Sequence, residues 1–392
     1  MRIESVDIFY LALPEIADIG DGSQDMALVR VRAGDVTGWG ECEASPLPTI
    51  AALVTPPSHS ACHGVLDSVL GARLDDLSDI AALAGLVAER GLDLLQTAHA
   101  WSGVEIALWD LLGKAHSVPA WEILGQASSR PKVPYASQLF GDDPHQTWLH
   151  ARDVAAAGYQ AAKFGWGPYG RGSVADDADQ VMAARDGLGI EATLLIDAGT
   201  VWGEDVEAAA ARLPALAAAH VLWLEEPFTS GALDAYARLA GQAGTVRLAA
   251  GEGAHNAHVA RHLIDHGGVG FVQVDTGRIG GIGPAAQVAR YAAAKGVEFV
   301  NHTFTSQMAL AASLTPYAGA PDGVFCEYPV APSALAEALT PVRLRGADGL
   351  VRLPEGPGLG IEPDTAALAP YLKQVQIVID GHTLYTTPEL TR

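Results

Sequence analysis

The pattern of hydrophobic and polar positions divides the first third of the chain into a strand region and a helical region. Two runs, MRIESVDIFYLAL and DMALVRVRAGDVTGWGE, flank a polar loop at residues 16–24. Alternating apolar and polar residues are typical of half-buried strands, so we predict an antiparallel meander. From residue 80 to residue 124 the apolar positions recur with helical spacing, most clearly in GVEIALWDLLGKA. The sequence therefore predicts a sheet followed by a helical layer.

The middle of the chain repeats a different pattern, in which short β-rich runs alternate with Ala-rich segments of helical spacing. There are eight such runs: VPYASQL, AAKFG, TLLID, VLWLE, VRLAAGE, GFVQVD, EFVNH and GVFCE. Eight strands alternating with helices are the number that closes a parallel barrel. We place the first domain at residues 1–130, the barrel at 131–330 and a C-terminal segment at 331–392. This last segment is too short to be a domain, and we expect it to pack on the first one.

Composition argues against several classes of partner. The formal net charge is −22 at pH 7, whereas nucleic acids and anionic membranes bind clustered Lys and Arg. The most apolar stretch, residues 213–224, is too short to span a membrane. The three cysteines, Cys42, Cys62 and Cys326, have no metal-ligand spacing and are typical of reduced thiols. We therefore expect a cytoplasmic protein that acts on a small molecule, and we also expect it to form a homo-oligomer.

Three carboxylates end consecutive apolar runs: Asp197 in LLIDAG, Glu225 in LWLEEP and Glu252 in LAAGEG. In a barrel of parallel strands the functional residues lie at the C-terminal ends of the strands, which meet at one face. We therefore expect the three carboxylates to converge. Three oxygen ligands without a cysteine favour Mg²⁺ over Zn²⁺. The alternative is that they are helix N-caps or solvated loop acids, and their near-equal spacing argues against it.

Polar side chains that could take part in catalysis lie at other strand ends as well. Asp275, His302 and Glu327 end the last three runs, and Lys163 lies near the end of the second. An Asp beside a His orients the imidazole and stabilises its protonated form, which makes His302 a usable general base or acid. A metal ion and Lys163 together can stabilise an enolate formed by removing a proton next to a carboxylate. The sequence leaves open that the lysine is a surface residue, the histidine a buried structural one, and the last glutamate a cap.

These residues resemble the enolase superfamily, and within it the mandelate racemase subgroup. The likeness rests on the order of the Lys163 strand, Asp197, Glu225-Glu226-Pro227, Gly251-Glu252, Asp275, Gly280-Gly281 and His302, together with GWGE, ALWDLLGK and PGLGI. It implies an α/β protein with a modified TIM barrel, (β/α)7β-like, and an α+β N-terminal capping domain completed by the C-terminal segment. It also implies Mg²⁺ on the three carboxylates, a His302–Asp275 catalytic dyad and proton abstraction next to a carboxylate. Glu225 is favoured over Glu226 as the ligand because side chains alternate along a strand.

One position departs from this resemblance. Members of the subgroup usually have Lys-x-Lys or Lys-x-Arg at the second strand, where this chain has Lys163-Phe164-Gly165. Residues i and i+2 share a strand face, so Gly165 points inward and has no proton to exchange. A two-base racemase is thereby disfavoured. We expect one-sided chemistry, in which His302 removes the α-proton of an acid sugar and returns it to a leaving hydroxyl, giving a 2-keto-3-deoxy acid. A cycloisomerase or epimerase that uses Lys163 as base remains open, as does a non-catalytic ligand-binding homologue.

Substrate contacts are predicted less sharply than the metal ligands. We expect Lys163, Glu327 and Trp166 to contact the substrate, which the resemblance implies is a carboxylate. Two Pro- and Gly-punctuated loops, at residues 16–24 and 42–55, are the expected lid over the barrel mouth.

Two motifs suggest other chemistry. The run GIGPAA at residues 281–286 fits a dinucleotide-binding G-x-G-x-x-A, but its glycines lie several residues past the strand end. The histidines of HNAHVARHLIDH fall near one helical face and could bind a transition metal; they are His255, His258, His262 and His266. A solvated polar face is the more typical role of such a segment.

Overall fold

The computed structural model describes residues 1–43 and 45–391, and its N-terminal region combines a small sheet with a helical layer. The sheet is antiparallel with strands in chain order: β1 Ser5–Ala12, β2 Asp25–Ala33 and β3 Val36–Glu43. The helices are α1 Pro46–Val54, α2 Leu66–Val69, α3 Leu77–Arg90, α4 Thr97–His116 and α5 Ala120–Ile123. The predicted meander and helical layer are therefore confirmed.

Helix α4 packs directly on β3 because two glycines of the strand leave room for it. A Cβ atom at Gly38 would lie 2.1 Å from the carbonyl oxygen of Ala107. A Cβ atom at Gly40 would lie 2.1 Å from the carbonyl oxygen of Gly103. Both distances are far below van der Waals contact, so larger residues would push the helix off the sheet. The GWGE and ALWDLLGK segments are thus the two sides of one close contact.

The middle of the chain forms an eight-stranded parallel sheet that nearly closes into a barrel. Its strands are β4 Val133–Leu139, β5 Ala161–Gly165, β6 Thr193–Asp197, β7 Val221–Glu225, β8 Arg247–Ala250, β9 Phe271–Asp275, β10 Glu298–His302 and β11 Phe325–Pro329. Strand β11 pairs with β4. Side chains join β10 to β11: Asn301 Oδ1 accepts a hydrogen bond from Glu327 N at 3.1 Å, and Glu327 Oε2 accepts one from Thr303 N at 2.7 Å. The predicted barrel is confirmed.

Helices cover the outside of the barrel between its strands. They are α6 Pro144–Ala156, α7 Val174–Leu188, α8 Val206–Ala210, α9 Leu213–Ala218, α10 Leu233–Ala240, α11 Ala257–His262, α12 Ile282–Lys295, α13 Gln307–Leu314 and α14 Ala334–Leu339. Within the described ranges, no helix is long and apolar enough to cross a membrane.

Two strands end differently from the sequence prediction. Strand β8 stops at Ala250 because Gly251 adopts a φ of +136°, a conformation open to glycine, and Glu252 therefore lies in the following turn. Strand β11 begins at Phe325 and continues to Pro329, so Glu327 lies in its middle.

An apolar layer fills the barrel below its C-terminal end. Each of the strands β4 to β10 contributes one residue to this layer: Tyr135, Ala161, Leu195, Trp223, Ala249, Phe271 and Val300. Side chains two residues further along a strand point into the same interior. Lys163, Asp197, Glu225 and His302 each follow a layer residue at that spacing. The fold therefore places these four side chains directly above an apolar floor.

The chain ends with α15 Thr365–Leu368 and a small hairpin of β12 Gln376–Ile379 and β13 His382–Thr386. This segment contacts the first sheet. The Tyr385 hydroxyl donates to Ile8 O at 2.5 Å, and Lys373 N donates to Tyr10 O at 2.8 Å. These contacts are those expected of a C-terminal segment that packs on the first domain.

Asp110 in α4 joins three distant parts of the chain. Its carboxylate accepts hydrogen bonds from Trp39 N and from Leu359 N, both at 2.8 Å. Lys114 Nζ lies 2.7 Å from the same group. Asp110 is fully buried, so its charge depends on these three partners. The GWGE, ALWDLLGK and PGLGI segments therefore meet at one carboxylate.

Glu105, also in α4, connects the capping layer to the barrel. It accepts hydrogen bonds from Ile282 N at 2.7 Å and Gly283 N at 2.8 Å, at the start of α12. Trp109 Nε1 donates to it at 2.7 Å. A Cβ atom at Gly281 would lie 2.0 Å from this carboxylate, so the glycine is required for the approach. Burial raises the pKa of Glu105 to about 7, and the helix N-terminus offers favourable positive potential in return.

We expect Asp110→Ala to lower the free energy of unfolding by about 3 kcal/mol, because it leaves two buried N–H donors and a lysine without their acceptor. The matched control is Asp348→Ala, which removes an exposed carboxylate paired with Arg352 and should leave stability unchanged. Urea denaturation followed by circular dichroism measures both. Equal midpoints for the two variants would contradict the assigned role of Asp110.

Candidate active site

The three predicted metal ligands come together at the C-terminal end of the barrel. Asp197 and Glu225 are the last residues of neighbouring strands and are register partners, and Glu252 follows the glycine that ends β8. One carboxylate oxygen from each lies within 4.8 Å of the other two. Glu226 is directed elsewhere and accepts a hydrogen bond from Gly251 N at 2.9 Å. Strand β7 ends at Glu225 and Glu226 has a φ of +40°, so this change in the backbone, and not the alternation expected from sequence, turns the second glutamate away from the triad.

Burial and mutual repulsion make this triad electrostatically costly. Burial raises the pKa of Glu225 to about 8, and repulsion from Asp197 adds to the effect, while Lys163 opposes it. Burial likewise raises the pKa of Asp197. Trp223 Nε1 donates to Glu225 at 3.0 Å, and Gly199 N donates to Asp197 at 2.8 Å. These bonds fix the carboxylates without neutralising them, so the donor set suits a hard divalent cation.

Lys163 lies among carboxylates of the triad and of β11. Its Nζ is 2.5 Å from Glu225 Oε1, 2.8 Å from Glu327 Oε1 and 3.5 Å from Asp197 Oδ2. Burial alone would lower the pKa of this lysine, but the attraction of Glu225 and Glu327 raises it well above its usual range. In this arrangement the lysine is a cation held between carboxylates.

His302 and Asp275 end neighbouring strands and are register partners. The imidazole Nδ1 lies 2.8 Å from Asp275 Oδ2, and Nε2 faces the triad, 3.2 Å from Glu252 Oε2. Burial acts to lower the pKa of His302, but Glu252, Glu327 and Asp275 together raise it well above its usual value. The structure thus brings together the residues of the predicted dyad, with one imidazole nitrogen held and the other directed at the metal triad.

Two residues of the site are absent from the sequence prediction. Arg278 follows Asp275 by three residues, and its Nη2 lies 2.5 Å from Glu43 Oε1. Its Nη1 is 3.6 Å from Glu252 Oε1. Glu43, Asp275 and His302 have ligand atoms within 4.8 Å of one another. The position of Arg278 just after a strand end is a signal that could have identified it, whereas Glu43 enters from β3 of the first domain.

Glu327 and Trp166 occupy different environments from each other. Glu327 is fully buried, and its two oxygens contact Lys163, Ser137 Oγ at 2.8 Å and Thr303 N at 2.7 Å. Strand β11 continues past Glu327, so this side chain lies inside the barrel. There it contacts Lys163 and helps to hold the lysine in position. Trp166 follows β5 with a φ of +56° and is 37% exposed.

A cavity of about 310 Å³ joins these groups. Its floor contains Lys163, Asp197, Glu252, His302 and Glu327, and Trp166, Arg278 and residues 19–22 form its rim. Of the two predicted lid segments, the 16–24 loop lies at the cavity, and the 42–55 segment reaches it through Glu43. Trp166 is pressed between Gly20 of this loop and Gly199, where added Cβ atoms would each lie 2.8 Å from its ring. The indole therefore links the 16–24 loop to the turn that follows β6.

Gly165 is required by the packing of the site. It is the register partner of Asp197, and a Cβ atom there would lie 2.7 Å from Asp197 Cβ and 3.1 Å from Asp197 Oδ2. A lysine or arginine at this position would displace Asp197. The space at this position thus accepts glycine and excludes the second basic residue of Lys-x-Lys.

The structure supports neither of the two alternative motifs. The N–H groups of Ile282 and Gly283, which a dinucleotide phosphate would need, already bind Glu105. In the part of the chain that the structure describes, the closely spaced metal-ligand groups are the carboxylate triad and the Glu43 cluster. His255, His258, His262 and His266 belong to neither group.

Comparison with known proteins places the chain among enzymes of this architecture. It is 57% identical to a solved structure of a predicted mandelate racemase from Rhodobacter sphaeroides, with a TM-score of 0.94 over 99% of this chain and 100% of that one. A D-galactarolactone cycloisomerase from Agrobacterium fabrum is 30% identical, covering 88% of this chain and 90% of the relative. A D-galactonate dehydratase from Xanthomonas oryzae is 30% identical, covering 71% of each.

Family matches cover both domains. Residues 14–125 match the mandelate racemase / muconate lactonizing enzyme N-terminal domain, and residues 148–367 match the enolase C-terminal domain-like family. Together with the ring of carboxylates and the His–Asp pair, these matches show that the chain belongs to the mandelate racemase/muconate lactonizing enzyme family of the enolase superfamily.

Proposed function

We propose that this chain is a magnesium-dependent lyase that dehydrates an acid sugar, an aldonate or an aldarate, to a 2-keto-3-deoxy acid. The observation that supports this best is that a single imidazole, that of His302, lines a cavity that is also lined by Lys163, Asp197 and Glu252. Such a site can remove and return a proton on one face of a substrate only. The related D-galactonate dehydratase agrees with this chemistry.

The triad of Asp197, Glu225 and Glu252 fits a divalent metal ion. Its donors are all carboxylate oxygens, largely buried and close together, which are the ligands that Mg²⁺ accepts. When bound there, the ion would supply positive charge beside the substrate carboxylate and the negative charge that develops on it. Lys163 adds a second positive charge on the same side, held in position by Glu327.

His302 is the proposed general base. Asp275 fixes its Nδ1, so Nε2 is the atom that takes the α-proton. The negative charge of Glu252 is one cause of the raised pKa of the imidazole. A divalent ion held by Glu252 would offset part of this negative charge, which would bring the pKa of His302 down toward a value useful for proton transfer.

The same imidazole completes the elimination. After proton abstraction, Nε2 carries the proton on the substrate face from which it came, and it can donate that proton to the departing β-hydroxyl. Lys163 serves in this proposal as a cation, because Glu327, which is not one of the proposed metal ligands, holds its ammonium group at 2.8 Å. Gly165 adds no side chain on the other face. His302 is the only proposed base and acts on one face of the substrate. We therefore expect syn elimination, in which the α-proton and the β-hydroxyl leave from the same face.

A cycloisomerase is the second candidate, favoured by the 30% identity to D-galactarolactone cycloisomerase over 88% of this chain. The proposed residues would serve it equally: His302 would abstract the α-proton, and the β-leaving group would be a ring oxygen instead of a hydroxyl. The two candidates differ in the substrate that is consumed.

A panel of aldonates, aldarates and their lactones, incubated with the protein and Mg²⁺, tests the proposal. ¹H NMR follows substrate loss, and semicarbazide trapping detects the 2-keto acid. Consumption of open-chain acids supports dehydration, and consumption of lactones alone supports the cycloisomerase. Interconversion of epimers without a keto acid would overturn both.

His302→Asn should reduce turnover and α-proton exchange in D₂O by at least about 100-fold, because it removes the proton acceptor, while Mg²⁺ binding stays intact. His255→Asn, outside the cavity, serves as the matched control. Deuterium incorporation at the wild-type rate in His302→Asn would assign the base role to another residue, with Lys163 the first to test.

Mg²⁺ affinity should rise with pH between about 6 and 9, because the metal has to displace a proton from Glu225, whose pKa burial raises to about 8. Below that pKa the protonated form dominates and competes with the ion. Glu225→Gln should bind Mg²⁺ weakly and lose this pH dependence, whereas Glu298→Gln, an exposed carboxylate paired with Arg247, should retain it. Isothermal titration calorimetry at several pH values measures the affinities, and a flat wild-type profile would refute the assignment.

Gly165→Ala should weaken Mg²⁺ binding by about 10-fold to 100-fold, the range seen when the support of a metal ligand is disturbed, because its Cβ collides with Asp197. Gly85→Ala is the control, since a Cβ there meets no neighbour within 4 Å. Calorimetry gives the affinities of both. Unchanged binding in Gly165→Ala would mean that the strand can shift to accommodate a side chain.

A further inference from the structure

Behind the His302–Asp275 pair lies a second, much smaller cavity that the proposed chemistry does not use. Its volume is about 10 Å³, and its walls come from both domains. Strand β3 contributes Glu41 and Glu43, and α4 contributes Ile106. Asp275 comes from the end of β9, and the segments after β9 and β10 contribute residues 276–277, 303 and 305. About 10–15 Å³ of such space is enough for one water molecule.

Four buried oxygen atoms in the walls of this cavity lack a well-aligned hydrogen-bond partner: Glu41 Oε1, Glu43 Oε2, Thr276 Oγ1 and Thr305 Oγ1. The Glu41 carboxylate approaches the Thr305 hydroxyl, and the Glu43 carboxylate approaches Asp275, without completing a well-aligned bond. None of these residues is more than 4% exposed. A buried polar atom without a partner is costly, and native structures avoid it. Four of them around one small space therefore indicate a shared polar ligand.

The chemistry of the four oxygens matches one water molecule. Two are carboxylate oxygens, which accept hydrogen bonds, and two are hydroxyls, which can donate them. A water molecule donates two hydrogen bonds and accepts two. Burial raises the pKa of Glu41 to about 6 and that of Glu43 to about 8. Because the threonine hydroxyls can also accept, the match holds whether or not Glu43 carries a proton.

The remaining oxygens of the two glutamates are already held. Glu41 Oε2 accepts a hydrogen bond from Ser306 Oγ, and Glu43 Oε1 contacts Arg278 at 2.5 Å. Glu43 Oε2 lies 3.8 Å from His302 Nδ1, which itself lies 2.8 Å from Asp275. A partner on the cavity side of Glu43 keeps its free oxygen from competing with Asp275 for the imidazole.

We propose that Glu41, Glu43, Thr276 and Thr305 bind a single structural water molecule across the domain boundary, and that this water positions the His302–Asp275 dyad. In this arrangement Glu43 is a positioning residue, fixed by Arg278 on one side and by the water on the other. Asp275 then remains the sole acceptor of the imidazole Nδ1 proton, and Nε2 keeps its direction toward the substrate cavity. The kinetic role rests on the proposed function, whereas the binding site does not.

A crystal structure of the wild-type protein tests the binding site. We expect one density peak in the small cavity, about 2.7–3.2 Å from the four oxygens. A peak with oxygen distances of about 2.4 Å, together with a melting temperature that depends on Na⁺, would identify a cation and overturn the proposal. A well-ordered cavity without density would also overturn it.

Thr305→Val tests the positioning role, because it keeps the shape of the side chain and removes one hydroxyl. We expect kcat to fall at least about tenfold with KM unchanged, since geometry at the base is lost but substrate binding is not. The control is Thr315→Val, which removes an equally buried hydroxyl that bonds within its own helical turn to Ala311 O. Equal kcat values for the two variants would refute the role.

The two failures are distinguishable. If wild-type protein turns over no acid sugar or lactone and exchanges no α-proton, the proposed function fails and the crystallographic result still decides the water site. If wild-type protein is active but Thr305→Val is as active as Thr315→Val, the proposed function stands and the positioning role fails.

Discussion

The crowding of negative charge at one end of the barrel is the constraint on which the site depends. Carboxylates of the barrel, all of them buried or largely so, lie in or next to the larger cavity: Asp197, Glu225, Glu252, Asp275 and Glu327. Their cationic neighbours are Lys163, His302 and Arg278. Like charges repel strongly where water is excluded, so each carboxylate needs a cation, a proton or an N–H donor. The fold provides rigid strand ends that hold this arrangement together, and an added divalent ion lowers its energy further.

Much of this arrangement could be predicted from sequence because it follows from strand periodicity. Side chains two residues apart share a face, and parallel strands present their C-terminal ends together, so Asp197, Glu225 and His302 could be assigned to one site from the sequence alone. The neighbouring pairs Asp197 with Glu225 and His302 with Asp275 are register partners. These positions depend on local pattern and on the order of elements, which sequence reveals well.

The contacts that sequence did not reveal are those between the domains. Glu43 reaches Arg278 across 235 residues of chain, and Glu105 reaches α12 across 177. No local pattern encodes such distances. The interior position of Glu327 was also missed, because the end of a strand depends on backbone hydrogen bonds to its neighbour. The reason for Gly165 likewise became visible only when Asp197 was seen beside it.

The bond between Glu105 and the start of α12 limits how this architecture can diversify by recombination. A foreign capping domain grafted onto this barrel would leave two helix N–H groups without an acceptor unless it brought an acid to the same place. Exchange of the 16–24 loop alone would avoid that difficulty, since it leaves α4 untouched. New substrate preferences are therefore more accessible through changes in one loop than through replacement of the whole cap.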